Sequence, residues 1–432
     1  MKNKNIFVYG HWGAMKSEML IGTLKAELVR GKEIFSFEYA KEWLSSGFSG
    51  ILDPDLIWLP GAQYLNNDKP NFGMFLDSSP DRWGRVLMKR REAIIARQES
   101  RKPDILLESD FLLGVYDQTR MGGLRFKLAE DGNFLSYDSK FAAPPWTSLR
   151  ELENASLKLE RDDIGMNEEL KWLNMLMAPG SSLGGARPKA SVIDPNGCLY
   201  IAKFPSINDE RDMGAWEMVV HELAEKSGLS VSSAMVAKYS GKHHTFLTKR
   251  FDRAGGKRIH FASAMTLLGY IDGADHIEGR SYLDIANYIV KGTDGVQANL
   301  TELWKRVLFN VLVKNTDDHL RNHGFLMGNK GWSLSPAYDM NANPYGMGLT
   351  LNISEDDNSL DPELVMEMAP KFRLRHQEAQ EYLAQMKKTV SLWPTLAKKY
   401  GISRSEQYMM EPAFYFEPDR NLNVGRDNSL GL

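Results

Sequence analysis

The chain has 432 residues, a formal net charge of −3, 43% hydrophobic residues and 25% charged residues. That length accommodates two or three domains, and the composition is that of a soluble globular protein, not a disordered one. The charge balance gives no global basic field, so broad nucleic-acid binding is not expected, and a single cysteine, Cys198, excludes an internal disulfide and fits a reducing compartment.

No signal peptide is expected, because charged residues interrupt the first apolar stretch early. The longest uncharged run, residues 172–186, contains Asn, Ser, Pro and Gly and is too short to span a bilayer. A soluble, cytoplasmic protein without membrane partners is the expectation.

Residues 1–143 read as a mixed strand-and-helix subdomain. Residues 6–9 predict a short strand, and residues 22–28 lead into a hairpin-like series ending at Phe35-Ser36-Phe37-Glu38-Tyr39. A helix is predicted from about Pro80 to Arg97, with Asp81 as its cap and Lys89-Arg90-Arg91 on a solvated face. Pro144 and Pro145 mark a linker. Helices follow over residues 149–159 and 168–177, the second stopped by Ala178-Pro179-Gly180.

Residues 144–255 read as a second unit. A loop over 181–189 precedes strands at 190–193 and 199–204, joined by the turn Asp194-Pro195-Asn196-Gly197. A helix from about Arg211 to Lys226, stopped by Gly228, is followed by a strand over 245–251. A glycine-bearing loop over a hairpin, then a helix and further strand, is how a kinase small lobe is assembled. The remainder, 256–432, is expected to be largely helical, with a core helix at 301–313 and a loosely held polar tail from Glu411.

Phosphoryl transfer needs a carboxylate near the attacking hydroxyl, oxygen ligands for magnesium, and donors around the phosphates. Asp317 and Asn322 have the five-residue spacing of a kinase base and its metal-binding Asn, which leaves Asp318 one place out of register. Asp339, after a hairpin, stands where a second metal ligand should be; hard oxygen ligands completed by ATP and water suit Mg2+. The alternative is a polar turn after a helix. Lys203 ends a strand ahead of the helix carrying Glu217, the order of a phosphate-contacting lysine and its orienting glutamate. A solvated lysine remains open for Lys203, and a surface salt bridge for Glu217, which Glu210 and Glu222 flank.

The 181–189 loop fits three readings. As a phosphate loop it offers Gly184 and Gly185 for close backbone approach, with Arg187 and Lys189 as cations, although it is no Walker A sequence. Gly180-Ser181-Ser182-Leu183-Gly184 also matches the nucleophile elbow of serine hydrolases, which would need a preceding strand where a helix is predicted. A plain glycine turn is the third. His243-His244 and the pair His319 and His323 lack zinc-site spacing; His319 is expected to orient Asp317 or backbone.

These residues resemble the HipA-like toxin kinases of bacterial toxin–antitoxin systems, over nearly the whole chain. The resemblance is carried by Ser182-Leu183-Gly184-Gly185-Ala186-Arg187-Pro188-Lys189, Ile201-Ala202-Lys203-Phe204-Pro205, Lys249-Arg250-Phe251-Asp252-Arg253, residues 315–322 and Pro336-Ala337-Tyr338-Asp339. Residues 35–39 and 76–84 resemble that family's additional amino-terminal subdomain. The resemblance implies an α+β, bilobed protein-kinase-like fold with a mixed small lobe, a mostly helical large lobe and an extra amino-terminal α/β subdomain.

It further implies an ATP- and Mg2+-dependent serine/threonine protein kinase. The substrate would be a protein, an aminoacyl-tRNA synthetase in characterised relatives, whose modification stops translation. The partner would be a helix-turn-helix antitoxin, through which alone DNA is met. By position, Asp317 would be the base, Asn322 and Asp339 the metal ligands, and Lys203 the phosphate contact. Ser182, Gly184, Gly185, Ala186, Lys189 and His319 would lie on the nucleotide side, with Lys249 and Phe251 at the adenine edge. Ser182 holds the place of the family's autophosphorylated loop serine, and phosphate there would repel ATP and inactivate the enzyme. Phe261-Ala262-Ser263-Ala264 replace the family's acidic or amide residues after the hinge, and Pro188 stiffens the loop, which points to a divergent subgroup. Two other functions compete: a small-molecule kinase of the aminoglycoside or choline type, and a catalytically silent corepressor scaffold.

Overall fold

The computed structural model describes residues 3–13, 15–48, 50–65, 69–135, 143–161, 166–177, 185 and 187–414. Near the amino terminus, β1 (Lys4–Gly10), β2 (Met19–Val29), β3 (Lys32–Tyr39), β4 (Gln63–Tyr64) and β5 (Leu124–Lys127) form one antiparallel sheet, ordered β4-β3-β2-β1-β5. Alternation sets its buried face: Ile6 and Val8 of β1 are fully buried while their neighbours are not. The β2–β3 turn needs two consecutive positive φ angles, supplied by Arg30 at 50° and Gly31 at 82°.

The helix Arg82–Gln98 starts where expected, with the Asp81 carboxylate accepting from the Gly84 N–H at 2.8 Å. Its apolar residues Trp83, Leu87 and Ile94 pack away from that sheet. They join Leu152 and Leu173 of the helices Leu149–Arg161 and Met166–Met177, Val192 from a second sheet and Phe204 just past the end of one of its strands, in one core. The basic run on this helix is not wholly solvated as expected. Arg90 donates to the Leu159 carbonyl at 2.5 Å and Arg91 is partly buried, because the helix is covered by its neighbour on that side.

The second sheet is antiparallel, ordered β6-β7-β9-β8: β6 (Lys189–Ile193), β7 (Leu199–Lys203), β8 (Ala234–Ala237) and β9 (Thr245–Lys249). The β6–β7 turn is closed by Asp194, whose carboxylate accepts from the N–H of Asn196 and Cys198 at 2.9 and 2.7 Å. Behind the sheet lies the helix Met213–Lys226, which buries Trp216, Val219, Val220 and Leu223. It begins after Arg211 because Asp212 is its cap, accepting from the Ala215 N–H at 3.1 Å.

Two short strands, β10 (Arg253–Ala254) and β11 (Lys257–Arg258), lead to the sheet β12 (Phe261–Ser263), β13 (Gly324–Met327) and β14 (Trp332–Leu334). The rest is mainly helical, around the helix Val296–Leu312, in which Leu303, Trp304, Val307, Leu308 and Val311 are buried at helical spacing. The chain does not loosen at Glu411. Glu411–Ala413 form a 3₁₀ turn that delivers Phe414 into the core, stacked 5.0 Å from Trp393 and 6.0 Å from Trp216. The rest of the expected tail lies outside the described residues. Among the described residues no helix is long and apolar enough to cross a membrane.

Candidate active site

Lys203 ends β7 opposite Phe246, so the strand aims its side chain at the helix Met213–Lys226. Its ammonium donates to the Glu217 carboxylate and, at 2.6 Å, to Asp339 Oδ1. Glu217, the expected partner, is therefore the acid brought to the lysine, while the flanking Glu222 pairs with Lys399 at 2.7 Å. Burial disfavours the charged lysine, but Asp339 and Glu217 outweigh it and hold the ammonium protonated above its ordinary range. Burial raises the Glu217 carboxyl, against Lys203. Burial also opposes ionisation of Asp339, yet Lys203 outweighs it and brings that carboxyl down to about 2. Asp339 has φ of 58°, a left-handed backbone rare outside glycine.

The two adjacent aspartates of the 315–322 loop have opposite environments. Asp318 is buried and its carboxylate accepts from Tyr282 Oη at 2.8 Å, Asn310 Nδ2 at 2.7 Å and His323 Nε2 at 2.8 Å. His323 and these bonds keep it ionised in spite of burial. Asp317 is exposed at a cleft, and its carboxyl is raised by partial desolvation, lowered by His319, and raised again by Asp339 and Asp318. Asn322 Nδ2 donates to the Asp317 carbonyl at 3.0 Å, which fixes the amide and leaves its oxygen as the free acceptor. His319 also meets Asp317 through backbone, its N–H donating to the same carbonyl at 3.1 Å.

Two neighbouring cavities flank this machinery. One is lined by Lys203, Glu217, Lys249, Phe251, Tyr338 and Asp339. The other is lined by Asp81, Arg82, Gly185, Asp317, His319 and Asn322. Lys249 and Phe251 thus lie in the same cavity as Lys203, and Gly185 in the cleft with Asp317. Lys189 is not presented to either: it is buried, its ammonium donating to Asp81 Oδ2 and to the Gly185 carbonyl, both at 2.7 Å. Arg187 is taken up by Asp209 in a two-pronged pair at 2.7 and 2.6 Å. Ser182, Gly184 and Ala186 lie outside the described residues, as does the whole nucleophile-elbow match at residues 180–184; the helix Met166–Met177 precedes it where a hydrolase would need a strand.

Phe261, Ala262 and Ser263 are committed to β12, where Ser263 donates to Asp77 from its N–H and hydroxyl at 2.7 and 2.8 Å. The strand after Lys249 is anchored by Arg250, which is fully buried between Asp252 and the Thr119 carbonyl. Sequence reasoning did not foresee Asp81 and Arg82 in the cleft. Local pattern marks them as a helix start, and no local signal says which distant loop that start faces. Among the described residues no cluster of three His, Cys, Asp or Glu could hold a metal. Asn322 lines the cleft and Asp339 the Lys203 cavity, and their side-chain oxygens are hard donors of the kind a magnesium ion takes alongside phosphate and water.

Residues 181–393 match the family described as the HipA-like C-terminal domain. The chain is 23% identical over 349 residues to the serine/threonine-protein kinase toxin HipA of Shewanella oneidensis, covering 75% of this chain and 73% of that protein. It is 27% identical over 186 residues to a putative kinase of Haemophilus influenzae, covering 38% and 54% respectively. The solved toxin–antitoxin complex of Shewanella oneidensis HipA, HipB and operator DNA contains a chain of similar fold, with a TM-score of 0.64, 18% identity and 95% of each chain covered. The fold is thus α+β and kinase-like, and the chain is similar to HipA proteins, with residues 181–393 matching the HipA-like C-terminal domain.

Proposed function

We propose that the protein is an ATP-dependent serine/threonine protein kinase. The observation that carries this is Lys203 held jointly by Glu217 and Asp339, with Asp317 on the adjoining cleft. Asp317 would accept the proton of the attacking hydroxyl, Lys203 would contact the nucleotide phosphates, and Lys249 and Phe251 would border the base. Magnesium would be held by Asn322 and Asp339, and would supply neutralisation of phosphate charge. His319 and Gly185 would border the transferring phosphate, with Ser182, Gly184, Ala186 and Lys189 belonging to the loop above it; Lys189 would act there by fixing the loop to Asp81. Residues 1–143, 144–255 and 256–432 would be the amino-terminal subdomain, small lobe and large lobe.

The relatives named as kinases support the chemistry, and the HipA–HipB–operator DNA complex supports an antitoxin as partner; that partner would be a helix-turn-helix protein through which DNA is met. A cytoplasmic translation component such as an aminoacyl-tRNA synthetase would be the substrate, and phosphorylation of Ser182 would switch the enzyme off. Controlled expression tests this. Growth arrest with the parent and none with Asp317→Ala, both folded, is expected; equal arrest would point to a scaffold. Phosphoproteomics of the arrested cells should show new phosphoserine or phosphothreonine on protein, and label confined to a metabolite would move the enzyme to the small-molecule kinases.

A further inference from the structure

We infer that Arg82, contributed by the amino-terminal region, is a further catalytic residue that binds the γ-phosphoryl group during transfer. This rests on the kinase reading above and adds to it a residue outside the 181–393 span that matches the family. Arg82 lines the cleft that also holds Asp317, His319 and Asn322, and its side chain is exposed there. Its neighbours are all engaged. Asp81 caps the helix and receives Lys189, Trp83 is buried in the core, and Arg85 grips Glu108 with two bonds at 2.6 and 2.7 Å. The Arg82 side chain makes no hydrogen bond or ion pair among the described residues. Its backbone is therefore fixed and its guanidinium is uncommitted.

The charge of the cleft calls for such a group. Asp81, Asp272, Asp275 and Asp317 line it with Arg82, His319 and Arg321, and Asp81 is already matched by Lys189. Arg321 already pairs with Asp272 at 3.1 Å. Lys203, in the other cavity, is matched by two carboxylates. A phosphoryl group moving toward Asp317 would meet the carboxylates of Asp317 and Asp275, and among the described residues lining the cleft Arg82 is the guanidinium left to meet it. A guanidinium presents a planar fork suited to two phosphoryl oxygens. In the step, the acceptor oxygen bonds to Pγ as the bond from Pγ to the β–γ bridging oxygen breaks. ADP leaves with that electron pair, and the hydroxyl proton passes to the Asp317 carboxylate. Charge spreads over the three equatorial oxygens as this occurs, and Arg82 would bind two of them.

The test compares the parent with Arg82→Ala and Arg82→Lys, using ATP, Mg2+ and a degenerate peptide library centred on Ser or Thr. Arginines that act on transferring phosphoryl groups contribute about 10³–10⁵ in rate, so kcat should fall by at least about 10²-fold in Arg82→Ala. ATP affinity and thermal unfolding should stay near the parent's, the lysine variant should remain impaired, and millimolar guanidinium should restore part of the alanine variant's rate. The inference is overturned if Arg82→Ala keeps kcat within about threefold of the parent, or if only KM for peptide rises, which would make Arg82 an acceptor contact. If the parent transfers no phosphate, the kinase reading fails and takes the inference with it. An active parent, a dead Asp317→Ala and an unimpaired Arg82→Ala would overturn the inference alone.

Discussion

Replacing the two adjacent aspartates one at a time should separate catalysis from folding. Asp318 receives three charge-assisted bonds, from Tyr282, Asn310 and His323, at 2.7–2.8 Å within a buried site. Each such bond contributes about 1.5–3 kcal/mol, but the three share one carboxylate and are not additive. Removing one partner of a buried charged pair costs about 3–5 kcal/mol, which is the better guide for Asp318→Ala. At about 2–4 °C per kcal/mol for domains of this order, the unfolding midpoint should drop by roughly 10 °C. Asp317 is exposed and accepts no side-chain bond in the described structure, so Asp317→Ala should change stability by no more than about 0.5 kcal/mol. Loss of a general base should nevertheless lower the transfer rate by about 10²–10⁴-fold. Thermal unfolding and phosphate transfer, measured on the same preparations, read both outcomes. An unfolding midpoint unchanged in Asp318→Ala, together with an active Asp317→Ala, would show that the register has been assigned one residue wrong.

Lys203→Met should leave Asp339 and Glu217 facing each other without their cation, and transfer should drop by at least about 10²-fold; an unimpaired variant would remove Lys203 from the phosphate site. The rate should also fall as the medium is acidified, because Asp317 must be ionised to take a proton. Its carboxyl is raised from 3.8 by desolvation and by Asp339 and Asp318, so the acid limb of kcat/KM should lie above that value, and a limb at or below it would contradict the described environment. Phe414→Ala should cost about 3–5 kcal/mol in chemical denaturation, since the ring is buried against Trp216 and Trp393; a neutral result would restore the picture of a loose end beginning at Glu411.

Much of the candidate site's arrangement was legible in the sequence because it is encoded locally. The Asp317-to-Asn322 spacing, the β13–β14 hairpin and Asp339 follow one another along a short stretch, and each element carries its own turn or periodic signal. Lys203 and Glu217 were readable for the same reason, as a strand end followed by a helix, although proximity alone could not choose Glu217 from Glu210 and Glu222. The choice is made by packing, which faces Glu217 to the strand and Glu222 toward Lys399. Lys189 shows the limit more clearly. Its glycine-rich surroundings suggest a phosphate contact, yet its partner is Asp81, far away in sequence and brought near by the core that Trp83 and Leu87 share with Val192. Nothing local to Asp81 or Arg82 reports that contact. The packed end at Phe414 was missed likewise, because a polar composition hides one aromatic anchor.

Phosphate transfer from γ-labelled ATP to protein, followed by phosphoamino-acid identification, tests the central claim most directly. Label on serine or threonine with the parent, lost together in Asp317→Ala and Lys203→Met while both remain folded, is the predicted result. Equal labelling by parent and Asp317→Ala would contradict it.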